Sequence, residues 1–450
     1  MSKKIVVGGV TAVVLVGAAW AGTTWYSGQK VESVYHEAIQ QANKDSLSPI
    51  SFKLTSYKRG FLSSKANWEA SVVLDPCQPN DALVLTGYDD IHQGFIPSFG
   101  WASIDTHIIW PDAVQAKLKE VFGSKEPLKI HSKINLLGNF SSSVSSPAVE
   151  WSDQAAKLSW AGLDGDIHVA GQKKVEFDFK APKLVVMDIA SKTNQLTLEK
   201  IHYEGNQADM SAPFSDTNAA FNVANIEANM GGTPWALKGL AFKSSGGSKN
   251  DLLEFKVSYD VNKIEINKKA VGDFKSKLTV NNIKAAAAAE AYKAFAKLQK
   301  QCNPAPDQLI NALKPVLKNG FNIKLDNADL SLFDGHAKAS GALLVPPLSD
   351  ADLQVPQALI SKITATGLLQ VTDKLLVGVF DQVNQLKGQP AGSPAETQQA
   401  IQMLMQGGVD QGFVSKTADG YQTIFTFKDG QPVVNGKALG QGAGAAIQQP

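Results

Sequence analysis

The sequence predicts an α+β, β-rich fold: an N-terminal transmembrane helix, then an extended antiparallel meander, with several helices in the C-terminal half. Three observations predict it. Ile5 to Tyr26 carry no charge, with Lys3 and Lys4 before them and Lys30 after. From about Ser51 to Asn281 the apolar residues recur with period two, the mark of half-buried strands. From Lys284 the period lengthens to that of a helix.

Each segment has its own reason. About twenty uncharged residues at roughly 1.5 Å each span a hydrocarbon core of about 30 Å. Trp20, Trp25 and Tyr26 stand where an interfacial aromatic belt belongs. Ala19-Trp20-Ala21 has the small-x-small form of a signal-peptide cleavage site, but the length of the run favours an uncleaved anchor. Either way the basic end stays cytoplasmic and the rest is exported. Gly17 and Ala21, and Ala18 and Gly22, share helix faces that would let two such helices approach, so a homo-oligomer is one expectation.

Val31, Val34, Tyr35, Ala38, Ile39 and Ala42 have helical spacing, read either as a stalk or as a core-facing helix. Val175-Glu176-Phe177-Asp178-Phe179-Lys180 and Phe255 to Val261 alternate as strands. Leu137-Gly138-Asn139, Asp164-Gly165-Asp166, Ala170-Gly171-Gln172 and Gly246-Gly247 read as turns between them. Strands this close in sequence favour a meander over βαβ units. A helix is expected near Pro111 to Phe122, with Val114, Leu118, Val121 and Phe122 at helical spacing. Ala285 to Gln301 and Asp307 to Lys318 read as helices on either side of Pro304 and Pro306. Thr372 to Leu386 and Pro394 to Gln406 follow, with Thr372 and Ser393 as candidate caps. Phe425, Phe427 and Val433 around Asp429-Gly430 predict a terminal hairpin. The expected divisions are a cytoplasmic 1–4, an anchor 5–26, an amphipathic stalk 27–50, a β-rich region 51–282, a mixed region 283–437 and a tail 438–450.

Composition excludes several classes. Charged residues make up 19% of the 450, and the net charge is +1, so no global field recruits nucleic acid. Of the 43 basic residues only Arg59 is arginine. A chain almost without guanidinium is poorly equipped for bidentate readout of phosphate or guanine, so no nucleic-acid partner is expected.

Motifs for chemistry are missing. G-x-S-x-G, H-E-x-x-H and the P-loop are absent, and the seven histidines show no metal-ligand spacing on a helix. His107, His131, His168 and His202 lie in strand-like stretches and read as solvated or satisfied. The pairs Asp164/Asp166 and Asp89/Asp90 read as turn residues. No catalytic residue, metal site or cofactor is expected. Cys77 and Cys302 each lie in a Cys-x-Pro stretch, and an oxidising compartment permits a disulfide between them. Arg59 stands alone where lysine serves elsewhere. It is read as a structural clamp to a carboxylate or carbonyl, with Tyr57 and Phe61 on its strand face, against a lipid-headgroup or partner contact as the rival.

Several stretches carry a resemblance. The run Trp25-Tyr26-Ser27-Gly28-Gln29-Lys30-Val31-Glu32 follows the apolar segment, and Tyr57-Lys58-Arg59-Gly60-Phe61-Leu62-Ser63-Ser64 follows the first strand. Then come Ile91-His92-Gln93-Gly94-Phe95-Ile96-Pro97, Phe427-Lys428-Asp429-Gly430 and Val434-Asn435-Gly436-Lys437. In their order these resemble the YdgA-like family of Gram-negative envelope proteins of unassigned biochemical function. The family's His-Gly-Pro-Phe-Pro-like loop is altered here, with Gln93 inserted and one proline missing. The resemblance implies an inner-membrane protein of one span, its bulk periplasmic, with Tyr57, Arg59, Gly60, Phe61, His92, Gly94, Phe95 and Pro97 as family-motif residues. It brings no known catalytic residues. The expected role is non-enzymatic binding or scaffolding in the cell envelope, with a lipid or an envelope protein as partner. An apolar sheet face could cradle acyl chains, by analogy of architecture with the AsmA-like lipid-handling proteins. An envelope hydrolase with an unrecognised site is the alternative.

Overall fold

The computed structural model describes His36, Ile39, Gln40, Asn43 and residues 50–439, except 61–62, 74, 76, 79–81, 97–99, 135–138, 172, 190–192, 211, 213 and 387–392. The architecture is a β-rich antiparallel meander. Seven helices accompany the strands among the described residues, besides the helical residues near Ile39, and six of them follow residue 284. No helix among the described residues is long and apolar enough to cross a membrane. The expected span, 5–26, lies outside them.

The chain divides into two compact units, one holding residues up to Val223 with Ala289–Ala312, the other Ala224–Ala288 with Leu313 onward. This differs from the expected division at 282/283. Period two fades at Lys284, but compactness follows packing, and residues 289–312 count with the first unit.

In the first unit, β1 (Ile50–Arg59), β2 (Ser63–Val72), β3 (Leu83–Ile96), β4 (Gly100–Ile109), β5 (Lys129–Ile134) and β6 (Phe140–Ser146) pair in sequence order. β6 then pairs with β9 (Leu163–Ala170), β9 with β10 (Lys174–Asp188) and β10 with β11 (Gln195–Gln207). The hairpin β7 (Val149–Ser152) and β8 (Ala156–Trp160) joins the far half of β10. Helix α1 (Asp112–Phe122) links β4 to β5, as expected from its spacing.

Period two divides this sheet into faces. Ala66, Ile91, Ala102, Ile104, Phe140, Ile167, Val169 and Val175 form a buried core on one of them. Ile91 is wholly buried, worth roughly 1.5–3 kcal/mol in the removal of its side chain from water. Ser132 and Ser142 sit inside this face as a matched pair, Oγ to Oγ at 3.0 Å, so neither hydroxyl is left unsatisfied. Ile39 belongs to the same core, and the Asn43 side chain exchanges two 2.7 Å hydrogen bonds with the Phe52 backbone. At its described residues the expected stalk therefore docks on the sheet: Ile39 removes more apolar surface from water there than it could while standing free.

Two stretches expected to be turns are strand. Asp164-Gly165-Asp166 lies in β9, and Gly246-Gly247 lies in β13 (Thr233–Lys249). Each glycine faces an aromatic ring across the ladder, Gly165 opposite Phe179 and Gly246 opposite Phe255. A Cβ on either would fall inside the ring's van der Waals surface. Asp89 and Asp90 are also strand rather than turn, on opposite faces of β3. Asp89 is buried and accepts from the Trp68 indole at 3.3 Å, while Asp90 points to the polar side.

In the second unit, β13, β14 (Leu252–Ile266), β15 (Lys269–Lys284), β16 (Phe321–Leu332), β17 (Gly335–Val345), β18 (Thr364–Thr372), β20 (Gly420–Lys428), β21 (Gln431–Val434) and β22 (Lys437–Ala438) form the second meander. β19 (Ser415–Lys416) pairs with β20, and β12 (Thr217–Met230) is shared between the units. Two-residue turns connect many of these strands. Asn250-Asp251, Asn267-Lys268, Asp429-Gly430 and Asn435-Gly436 all have positive φ at both positions, the geometry that matches strand twist.

The remaining helices are α2 (Ala285–Leu298), α3 (Pro306–Asn319), α4 (Asp350–Gln354), α5 (Pro356–Lys362), α6 (Asp373–Leu386) and α7 (Pro394–Asp410). Ser393 caps α7 through a reciprocal box with Glu396. Thr372 accepts at its Oγ1 from the Leu375 N–H at 3.4 Å, near the start of α6.

Candidate functional site

The two family-like motifs meet at one end of β1–β3. Arg59 faces Ser64, Ser63 faces His92, and residues 60–62 connect β1 to β2. The Gly60 N–H donates to the Ser63 carbonyl at 2.7 Å, and a Cβ on Gly60 would collide with that oxygen, so only glycine fits this turn. Tyr57 faces buried Ala66 and packs on the core. Gly94 and Phe95 lie in the irregular end of the β3–β4 ladder, between the Gln93–Ala102 and Ile96–Gly100 pairs. Phe61 and Pro97 lie outside the described residues. Arg59 is exposed and makes no ion pair among the described residues, so the expected clamp has no carboxylate partner there.

Cys77 and Cys302 are bonded, 225 residues apart in sequence, with Cα atoms 4.5 Å apart. Both belong to the first unit.

The polar face of the first unit carries its titratable groups. Lys65, Asp90, Asp105, His131, Ser143, Asp166, Asp178 and Glu204 stand opposite one another in a single row across eight strands. The next row holds His92 and His168, and rows on the other side hold His107 and His202. Five of the seven histidines thus share one face. His131 Nδ1 lies 2.7 Å from Asp105, with His92 4.0 Å from the other oxygen of the same carboxylate. His107 bridges Asp90 at 3.5 Å and Glu126 at 3.4 Å and stacks on Tyr88. His107 and His131 are satisfied strand histidines, in keeping with the strand-like stretches that hold them. The alignment of the five was not legible, because it depends on the register of every strand pair between them.

The tightest of these groups is Asp178, His202 and Glu204, whose donor atoms lie within 4.8 Å of one another. His202 Nε2 is 2.9 Å from Asp178 Oδ1 and 3.9 Å from Glu204 Oε2. Lys180, hydrogen-bonded to Asp178 Oδ2 at 2.8 Å, and then the His202 ring hold the Asp178 carboxyl below its usual range.

The second unit offers a different surface. Ala337, Ala339, Gly341 and Leu343 of β17 share one sheet face with Ala365, Gly367, Leu369 and Val371 of β18, and five of these eight side chains are small. Leu325 and Leu330 of β16 stand on one side of this strip, and Tyr421, Phe425 and Phe427 of β20 on the other. Around Gly367, where an added Cβ would meet only ordinary contacts, small side chains between large apolar ones leave a shallow trough, and at the Gly335 end Leu375 of α6 meets the same face. Leu369, on the same face, remains 48% exposed, and Leu278, in line with Gly341 through Leu325, 36%. His336, Lys338, Gln370, Val371, Thr372, Thr417, Asp419 and Tyr421 line a small cavity of about 210 Å³ of mixed polar and apolar character.

The family model described as bacterial protein of unknown function (DUF945) matches residues 1–440. The chain belongs to this family. The DUF945 chain is also 22% identical over 386 residues to protein YdgA of Escherichia coli (strain K12), covering 80% of this chain and 74% of that protein. No solved structure matches it. The resemblance read from the motifs therefore holds at the level of family, and family membership brings no assigned activity with it.

Proposed function

We propose that this DUF945 chain is an inner-membrane-anchored periplasmic protein that acts by binding rather than catalysis, holding an acyl chain of a lipid in the trough of its second unit. The observation that carries the reading is the strip of Ala337, Ala339, Gly341, Ala365 and Gly367 between walls of leucine and aromatic side chains, with Leu369 left open to solvent. On soluble proteins, contiguous exposed apolar patches larger than a few hundred Å² mark sites for a ligand or partner. In the row Leu325–Gly341–Gly367–Phe425 two glycines stand between large apolar side chains with no charge among them, a gap two strands wide on the scale of a hydrocarbon chain. Export is supported by the uncharged run Ile5 to Tyr26 and by the Cys77–Cys302 bond, since disulfides persist in oxidising compartments.

Lipid content decides the matter. Protein purified in native form, and stripped protein offered phospholipid vesicles, should both carry phospholipid. Gly367→Leu should reduce it, because a Cβ at Gly367 meets only ordinary contacts and a longer side chain would fill the trough. Native protein without lipid, and no uptake by stripped protein, would reject the reading.

A further inference from the structure

We propose that Asp178, His202 and Glu204 form a binding site for one divalent transition-metal ion, independent of the lipid reading. Ligand atoms held at roughly 2.0–2.2 Å from a common ion lie about 3–4 Å from one another. The 3.9 Å separation from His202 Nε2 falls in that range, and the 2.9 Å hydrogen bond to Asp178 lies at its edge, so the ion would take the place of the proton between them. The Asp178 and Glu204 oxygens, within 4.8 Å, need only a small rotation to follow.

The donor set selects the metal. One imidazole nitrogen with two carboxylate oxygens suits zinc, nickel or copper over magnesium or calcium, which prefer oxygen alone. The scaffold holds these groups in place. Asp178 and Glu204 are direct cross-strand partners, and His202 is two residues from Glu204 on the same face. On the reverse face Phe177 packs against Phe179 and Tyr203, and those contacts fix both strands. Asp166, opposite Asp178 in β9, adds a further carboxylate to the row. Lys180 is the opposing feature: it occupies Asp178 Oδ2 and leaves Oδ1 toward His202. Its charge should weaken binding, so its removal should strengthen it.

The test is equilibrium dialysis of the full-length chain in detergent against Zn²⁺ alone, with thermal unfolding followed in parallel. One saturable equivalent is expected, with a rise in the unfolding midpoint on adding Zn²⁺. His202→Ala should lose both. Glu204→Gln, at a side chain about half exposed, should bind about tenfold or more weakly, and Lys180→Met more tightly. His131→Ala should bind as wild type does. No saturable equivalent in wild type, an equivalent that survives Glu204→Gln undiminished, or an equal loss in His131→Ala would overturn the site.

Discussion

The ring of Phe179 occupies the space over Gly165, its direct partner across β9 and β10, where a Cβ would have to sit. This contact joins the core of the first unit to a glycine that carries no packing signal of its own. Gly165→Ala should force the ring or the strand aside and cost about 1–3 kcal/mol. Urea midpoints measure it. Phe179→Leu in the same chain should recover part of the loss, and strict additivity of the two changes would contradict the contact.

That glycine also shows why part of the fold was legible and part was not. The strands Val175–Lys180 and Phe255–Val261, the helix near Pro111 and the Ser393 cap follow from patterns a few residues long. Those patterns are local, so the structure keeps them. Asp164-Gly165-Asp166 has the composition of a turn, and tertiary pairing with Phe179 overrides it. The same reason applies to Gly246 and Phe255. The histidine face and the small-residue trough depend on register between strands far apart in sequence, and a single-strand pattern holds no record of that register.

The Cys77–Cys302 bond closes a separation of 225 residues, for which loop-closure entropy puts the upper stabilisation at about 5 kcal/mol. Cys77→Ser and Cys302→Ser should lower the melting temperature equally, and the double variant should lower it no further. Nonreducing gel mobility provides the companion check. Wild type whose mobility and melting are both indifferent to reductant would contradict the bond.

Asp352 predicts an acid-sensitive joint in the second unit. Its Oδ2 accepts from Lys362 Nζ at 2.7 Å, from the Ser349 hydroxyl at 2.7 Å and from the Ser349 N–H at 2.8 Å. The Lys362 hydrogen bond, followed by those from Ser349, lowers the carboxyl to about 2 from its ordinary 3.8. A carboxyl depressed in the folded state stabilises above its unfolded value, and the stabilisation is lost as pH falls from about 4 towards 2. Asp352→Asn should be less stable than wild type at neutral pH, and the gap should close across that window. A gap that stays constant down to pH 2 would refute the assignment.

Arg59 bears on what a rare residue means. With its guanidinium exposed and without an ion pair among the described residues, Arg59→Lys should change stability by less than about 0.5 kcal/mol. Chemical denaturation measures it, and a loss above about 1 kcal/mol would favour the clamp, to a carboxylate or a carbonyl.

The most direct test of the account is native mass spectrometry of the full-length protein, taken gently from its own membrane, beside Gly367→Leu and a chain lacking residues 1–28. The account predicts phospholipid-sized adducts on wild type that persist without residues 1–28 and fall away in Gly367→Leu. Adducts that vanish with residues 1–28, or that Gly367→Leu retains in full, would contradict it.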